Sequence, residues 1–178
     1  MAMKLLTTNP DSTDVASVEF TSSIDSTYKL YIFKFIDINP ATDSQDFRVN
    51  FSTDGGSNYN MTKTTTAFLA YNYESDAARG LTYMTGNDIA QGTGGQILAG
   101  GVGNGADESA AGTLWLFNPS NTTYVKHFYA VVSNYYTGNY IFNSFIGGYV
   151  NITGAIDEVD FKMSSGAMDA VIKMYGVG

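Results

Sequence analysis

Asp157, Glu158 and Asp160 form the densest carboxylate group in the chain. Glycoside hydrolysis needs two carboxyl groups about 5–10 Å apart across a cleft, one as general acid and the other as base or nucleophile. Strand alternation puts Glu158 and Asp160 on one face and turns Asp157 to the other, beside Val159 and Phe161. Two carboxylates on one side of a single strand do not oppose each other across a cleft. A solvated strand face is the expected setting, and no catalytic residue is assigned.

His127 is the only histidine, so any imidazole base or imidazole metal site must use it. It sits in the strand-like run Lys126-His127-Phe128-Tyr129, and no Gly-x-Ser-x-Gly elbow accompanies it. It is read as facing solvent or a sheet neighbour, not as a base. Gly101-Val102-Gly103-Asn104-Gly105-Ala106 matches the relaxed dinucleotide fingerprint. Its context contradicts a nucleotide site: no strong strand precedes it, Asp107 and Glu108 would repel phosphate, and residues 113–118 read as strand. A plain flexible loop is expected. Asp54-Gly55-Gly56-Ser57-Asn58 and the stretch 39–43 offer oxygen ligands of the kind calcium takes, but neither has EF-hand spacing or a terminal bidentate Glu. Asx-turns explain both. No metal and no cofactor are expected.

The remaining chemistry is aromatic. Trp115, between Leu114 and Leu116, has the means to stack a sugar ring but reads as core. Tyr135, Tyr136 and Tyr140 surround the turn Thr137-Gly138-Asn139, where contact with protein is favoured over contact with sugar. With Met3, Leu5 and Leu6 near the N-terminus, these three tyrosines are the candidate interface residues.

The elements that carry these residues are strands. Apolar and polar positions alternate in short segments parted by Gly, Pro, Asn, Asp and Ser clusters. The segments are 15–20, 28–38, 47–51, 64–73, 113–118, 125–135, 140–151, 156–163 and 168–175. Segment 28–38 is apolar on both faces, which predicts a central strand. Residues 74–79 fit one helical turn, and the stretch up to Leu98 resists assignment. Eight glycines between Gly92 and Gly112 predict a long loop. Ser164-Ser165-Gly166 predicts a tight hairpin between the last two strands. The expected fold is an all-β antiparallel sandwich of jelly-roll type, about nine strands in one domain over 1–178. Residues 1–12 are its N-terminal arm and 92–112 its Gly-rich loop.

Composition narrows the function. Aromatic residues make up 14% of the chain and charged ones 15%, against about 25% in ordinary soluble domains. The surface is therefore neutral and polar, and rich in turn and strand formers. Seventeen acidic residues against nine basic ones give a net charge of −8 with no basic cluster, which argues against nucleic acid. Cysteine is absent, which removes disulfides and thiolate chemistry. The N-terminal residues lack a signal-peptide core, and no unbroken apolar run exceeds five residues, too short to span a bilayer.

Several stretches together resemble small structural proteins of tailed bacteriophages, especially marine ones. They are Ile24-Asp25-Ser26-Thr27-Tyr28 running into 31–35, Asn39-Pro40-Ala41-Thr42-Asp43, Asp54-Gly55-Gly56-Ser57 with Tyr59-Asn60, Phe117-Asn118-Pro119-Ser120 with Tyr124-Val125-Lys126-His127, and 156–176. The resemblance covers nearly the whole chain and implies a virion component without catalytic residues. The expectation is a non-enzymatic capsid decoration or cement protein on the capsid exterior. It would form a homotrimer and bind the major capsid protein and copies of itself. The segments 1–9 and 92–112 are the candidates for reaching those neighbours. The alternative is a tail-fibre or receptor-binding module that recognises host glycans through Tyr135, Tyr136, Tyr140 or Trp115.

Overall fold

The computed structural model describes residues 2–9 and 12–178. Met1, Pro10 and Asp11 of the N-terminal arm lie outside the described residues. Among the described residues the chain is all-β, with thirteen strands and no helix. In chain order these are β1 (Met3–Thr8), β2 (Ser12–Val15), β3 (Val18–Phe20), β4 (Leu30–Pro40) and β5 (Gln45–Ser52). They continue with β6 (Lys63–Tyr73), β7 (Arg79–Tyr83), β8 (Gln96–Val102) and β9 (Ala110–Phe117). The last four are β10 (Lys126–Tyr136), β11 (Tyr140–Val150), β12 (Glu158–Met163) and β13 (Met168–Val177).

All pairings are antiparallel within one curled sheet. Its order runs β1, β13, β4, β9, β10, β8, β5, β12, β3. β10 also pairs along its full length with β11, β11 with β6, and β6 with the edge strand β7. β2 pairs with β13. The only register pair between β10 and β8 is Tyr136 with Val102. Past that point the sheet curls back, and β5 and β12 face the inner side of β4 and β10. Aromatic rings record the contact: Phe161 lies 5.3 Å from Phe33 and 5.2 Å from Phe35, Phe47 lies 5.2 Å from Phe35, and Phe51 lies 5.3 Å from Phe128.

Alternation explains which residues meet there. Tyr31, Phe33 and Phe35 of β4 are buried, opposite Leu116, Leu114 and Gly112 of β9 and beside Ile172 and Met174 of β13. β4 is thus central, as its two apolar faces predict. Phe128, Ala130 and Val132 of β10 continue the same inner surface. Burying these side chains is the main stabilising term, about 25 cal/mol per Å² of apolar surface.

Several sequence expectations are corrected. The strands number thirteen, not nine; β1, β2, β7 and β8 lack clean alternation and escape the pattern. The supposed loop 92–112 contains all of β8 and the start of β9. Two of its glycines, Gly101 and Gly112, serve close packing. The ring of Tyr136 lies where a Cβ on Gly101 would stand, and Gly101 has φ +58°. A Cβ on Gly112 would stand 2.5 Å from the Val131 carbonyl oxygen. Residues 74–77 form a turn, not a helical turn, closed by Tyr73 N donating to Ala78 O at 3.0 Å. Ser164-Ser165-Gly166 is not a hairpin. β12 pairs with β5 and β3 while β13 pairs with β4, β1 and β2, so these residues carry the chain across the core.

Two lysines face inward and are fully buried, Lys63 on β6 and Lys126 on β10, on either side of Val150 in register. Neither forms an ion pair among the described residues. Lys63 Nζ donates to Gly94 O at 2.8 Å. Burial pushes its pKa down to about 8. The unfolded chain holds that proton up to the ordinary lysine range, so it binds more protons than the folded chain between the two values. Stability therefore rises with pH from about 8, by about 1.4 kcal/mol per pH unit at most. Lys63→Met is expected to flatten this rise in urea titrations between pH 8 and 9.5. It should also raise stability at pH 7 by about 2 kcal/mol, since an apolar residue of similar size avoids the desolvation.

Candidate interaction surface

The outward positions of β9, β10, β11, β6 and β7 form one continuous surface. Trp115 on β9 stacks on Tyr129 of β10, ring centroids 4.7 Å apart. Phe145 on β11 stacks on Phe68 of β6 at 5.0 Å. Tyr83 and Leu81 of β7 stand opposite Phe68 and Ala70. Thr113, Val131 and Phe145 occupy one row across three strands. Tyr129 and Phe68 are each 41% exposed, and Leu81 is 71% exposed. Five strands of a chain with 17 acidic residues contribute no Asp or Glu to this face, nor anywhere along their length. The carboxylates lie on the loops and on the remaining strands. The face thus leaves several large apolar side chains open to solvent without an acidic neighbour on these strands.

Met3 and Leu5 lie on β1, exposed beside β13, so this part of the arm is an edge strand. Leu6 packs partly buried against the core. Tyr135, Tyr136 and Tyr140 divide between the two faces of the β10–β11 hairpin. Tyr135 points outward, and its hydroxyl donates to Asn139 Oδ1 at 3.2 Å. Tyr136 and Tyr140 point inward and form a three-ring pile with Tyr73. Tyr140 sits 4.2 Å from Tyr73 on one side and 4.6 Å from Tyr136 on the other. With neighbours on both sides, Tyr140 has no face left for a sugar. Burial, then hydrogen bonding to Tyr73, holds its hydroxyl well above the usual phenol range. Tyr71, Tyr73, Tyr140 and Phe142 border a cavity of about 200 Å³ whose other walls include Leu69, Ala78, Thr82 and Met84.

Trp115 is not a core residue. Leu114 and Leu116 on either side are buried, which turns the indole outward. His127 also faces outward, exposed, 6.0 Å from the Tyr149 ring. The solvated-face reading of the acidic strand is overturned: Glu158 is 7% and Asp160 2% exposed. Tyr59 covers them, its hydroxyl donating to Glu158 Oε2 at 2.8 Å. Burial raises the pKa of Asp160 although Lys162 pairs with it at 3.1 Å, and its Oδ1 has no hydrogen-bond partner among the described residues. What covers this face is the segment 53–62, which follows β5 and is invisible to strand alternation.

The glycine fingerprint at 101–106 is filled by its own chain. Glu108 Oε2 accepts from Gly105 N at 2.6 Å, which places a carboxylate where a phosphate would bind, and a turn follows instead of a helix. Asp54 makes an Asx-turn: its carboxylate accepts from Asn58 N at 3.0 Å, Asn58 Nδ2 at 2.8 Å and Ser52 Oγ at 2.7 Å. Those bonds hold its pKa below the usual carboxylate range. Among the described residues no three His, Cys, Asp or Glu side chains gather as metal ligands would.

Sequence reasoning missed Phe68, Leu81, Tyr83, Tyr129 and Phe145 as surface residues. The signal was present as the absence of acidic residues from β6, β7, β9, β10 and β11, but it gains meaning only once these strands are known to be neighbours. No protein-family model matches the chain, and no curated protein matches it.

Proposed function

We propose that the chain is a non-enzymatic structural protein of a tailed-phage virion, a capsid decoration or cement protein that packs against neighbouring capsid subunits. The observation that carries this reading is the acid-free aromatic face of β9, β10, β11, β6 and β7. Such a face gains free energy only when covered, and in an assembly of many protein copies a neighbour, another copy of the chain or a capsid subunit, covers it. The virion setting rests on the sequence resemblance. The curled sheet is read as a jelly-roll sandwich, with β8, β5, β12 and β3 as one layer over β4, β9, β10 and β13; the ring contacts between the layers support this. The edge strands β1 and β7 offer further pairing positions at the rim. Particles depleted of the protein are expected to lose resistance to heat and regain it when the purified chain is added back. Unchanged resistance in depleted particles counts against cementing.

A second reading, a tail-fibre or receptor-binding module for host glycans, draws on the aromatic cavity beside Tyr71 and Phe142. Glycan-array binding that disappears in Tyr71→Ala is the expected result under this reading. A blank array removes it.

A further inference from the structure

We propose that the acid-free face is a two-fold interface between two copies of this chain, an inference that rests on reading the face as a docking surface. Three observations identify the occupant as a second copy.

The first is charge. Each copy carries −8, so two copies repel wherever their carboxylates approach. Across β9, β10, β11, β6 and β7 the outward side chains are aromatic, aliphatic, hydroxyl or amide, with Arg79 and His127 as the only exceptions besides Gly147. Meeting through this face keeps the acidic residues of both copies at a distance.

The second is shape. Tyr129 and Gly147 are cross-strand partners at the centre of the face. Tyr129 is the knob, 41% exposed with its ring stacked on Trp115. Gly147 is a notch: a Cβ there would have only Thr66 Oγ1 within 4 Å, at 3.9 Å. A two-fold axis lying in the interface, parallel to the strands and between β10 and β11, exchanges the two strands. It sets each Tyr129 over the other copy's Gly147. The same operation sets Val131 over Phe145 and Ser133 over Asn143, so small meets large, and hydroxyl meets amide, along the row. This is isologous contact, and it brings the sheets together with strands nearly aligned, as face-packed sheets are.

The third is area. The axis exchanges β10 with β11 and β9 with β6, and these four strands, at about 3.3 Å rise per residue and about 4.8 Å spacing, present about 650 Å² per copy. Two copies together bury about 1,300 Å², within the range of specific stable interfaces.

The test is the mass of the purified full chain at micromolar concentration and about 0.15 M salt, by sedimentation or light scattering. A dimer is expected. Gly147→Glu fills the notch and adds a charge on each side of the axis, which should weaken association at least a hundredfold; the open space around its Cβ keeps the fold. Tyr129→Ser removes the knob and should also give monomers. Thr21→Glu, an acid added at an exposed position outside the face, should leave the dimer unchanged. A monomeric or trimeric unmodified chain overturns the proposal, and so does a dimer that survives Gly147→Glu, because edge pairing through β7 would behave that way. Particle binding is scored separately. A monomeric chain that restores depleted particles removes the two-fold interface alone, and a dimer that never joins particles removes the assembly reading alone.

Discussion

Phe161→Ala is expected to lower stability by about 3–5 kcal/mol, the range for removing a fully packed aromatic side chain. Phe161 is fully buried on β12. Its ring lies 5.2–6.0 Å from those of Phe20, Phe33, Phe35 and Phe47, which come from β3, β4 and β5. Among the described residues no other ring in the core touches as many strands on both sides of the curl. The cavity left behind cannot be filled by one neighbour, since each of the four is held by its own strand register. For a chain of this length the loss corresponds to a fall of about 10 °C in melting temperature. Phe161→Leu, which keeps most of the volume, should cost about 1–2 kcal/mol. Urea and thermal unfolding measure both. An alanine variant within 1 kcal/mol of the parent chain would mean that the two halves of the sheet are not held together through this ring.

Lys126→Met is the second large effect, and its sign is opposite to that expected for Lys63→Met. Lys126 Nζ donates to Tyr124 O at 2.9 Å, Ile152 O at 3.1 Å and Thr153 O at 3.2 Å. The three carbonyls belong to the two loops at one end of β10 and β11. Burial lowers the lysine pKa, so holding the charge costs energy. Three acceptors in good geometry offset that cost. Methionine keeps the length and apolar stem but leaves all three carbonyls without their donor, at about 1–3 kcal/mol for each that water cannot reach. A total loss of about 3–5 kcal/mol is expected, with faster amide exchange in residues 119–125 and 151–155. At Lys63 a single carbonyl is at stake and the desolvation dominates, so the same substitution stabilises. If both variants shifted stability in the same direction, acceptor count would not be what separates the two sites.

The contrast between the two lysines also bears on the outer face. Lys126 fixes the loops at one end of the hairpin that carries Tyr129 and Gly147, and Tyr136, Tyr140 and Tyr73 close the other end by stacking. Both ends of β10 and β11 are thereby held. A face made of side chains on two such strands keeps its shape before any partner arrives, which reduces the ordering cost of association.

The strands from 28 to 73 and from 113 to 175 were legible in the residues, because alternation over a half-buried strand is set locally by side-chain direction. Phe47, Phe51 and Phe161 were readable as inward for the same reason, whereas segment 28–38, apolar on both faces, showed a central strand but not which of its faces carries Tyr31, Phe33 and Phe35 into the core. β8 was not legible: Gly101 clears the Tyr136 ring, which is a contact between distant segments. The exposure of Trp115 and the burial of Glu158 and Asp160 were misread for a related reason. A strand pattern says that two faces differ, but not which face another layer or loop will cover. By itself, then, the sequence determined an all-β chain, its principal strand segments and the absence of acids from five of them, all properties of short stretches. Only the tertiary structure decided that those five strands lie side by side, that segment 53–62 buries the acidic pair, and that two lysines point inward. Strand order depends on pairing between residues far apart in the chain, and no local pattern encodes which partner is chosen.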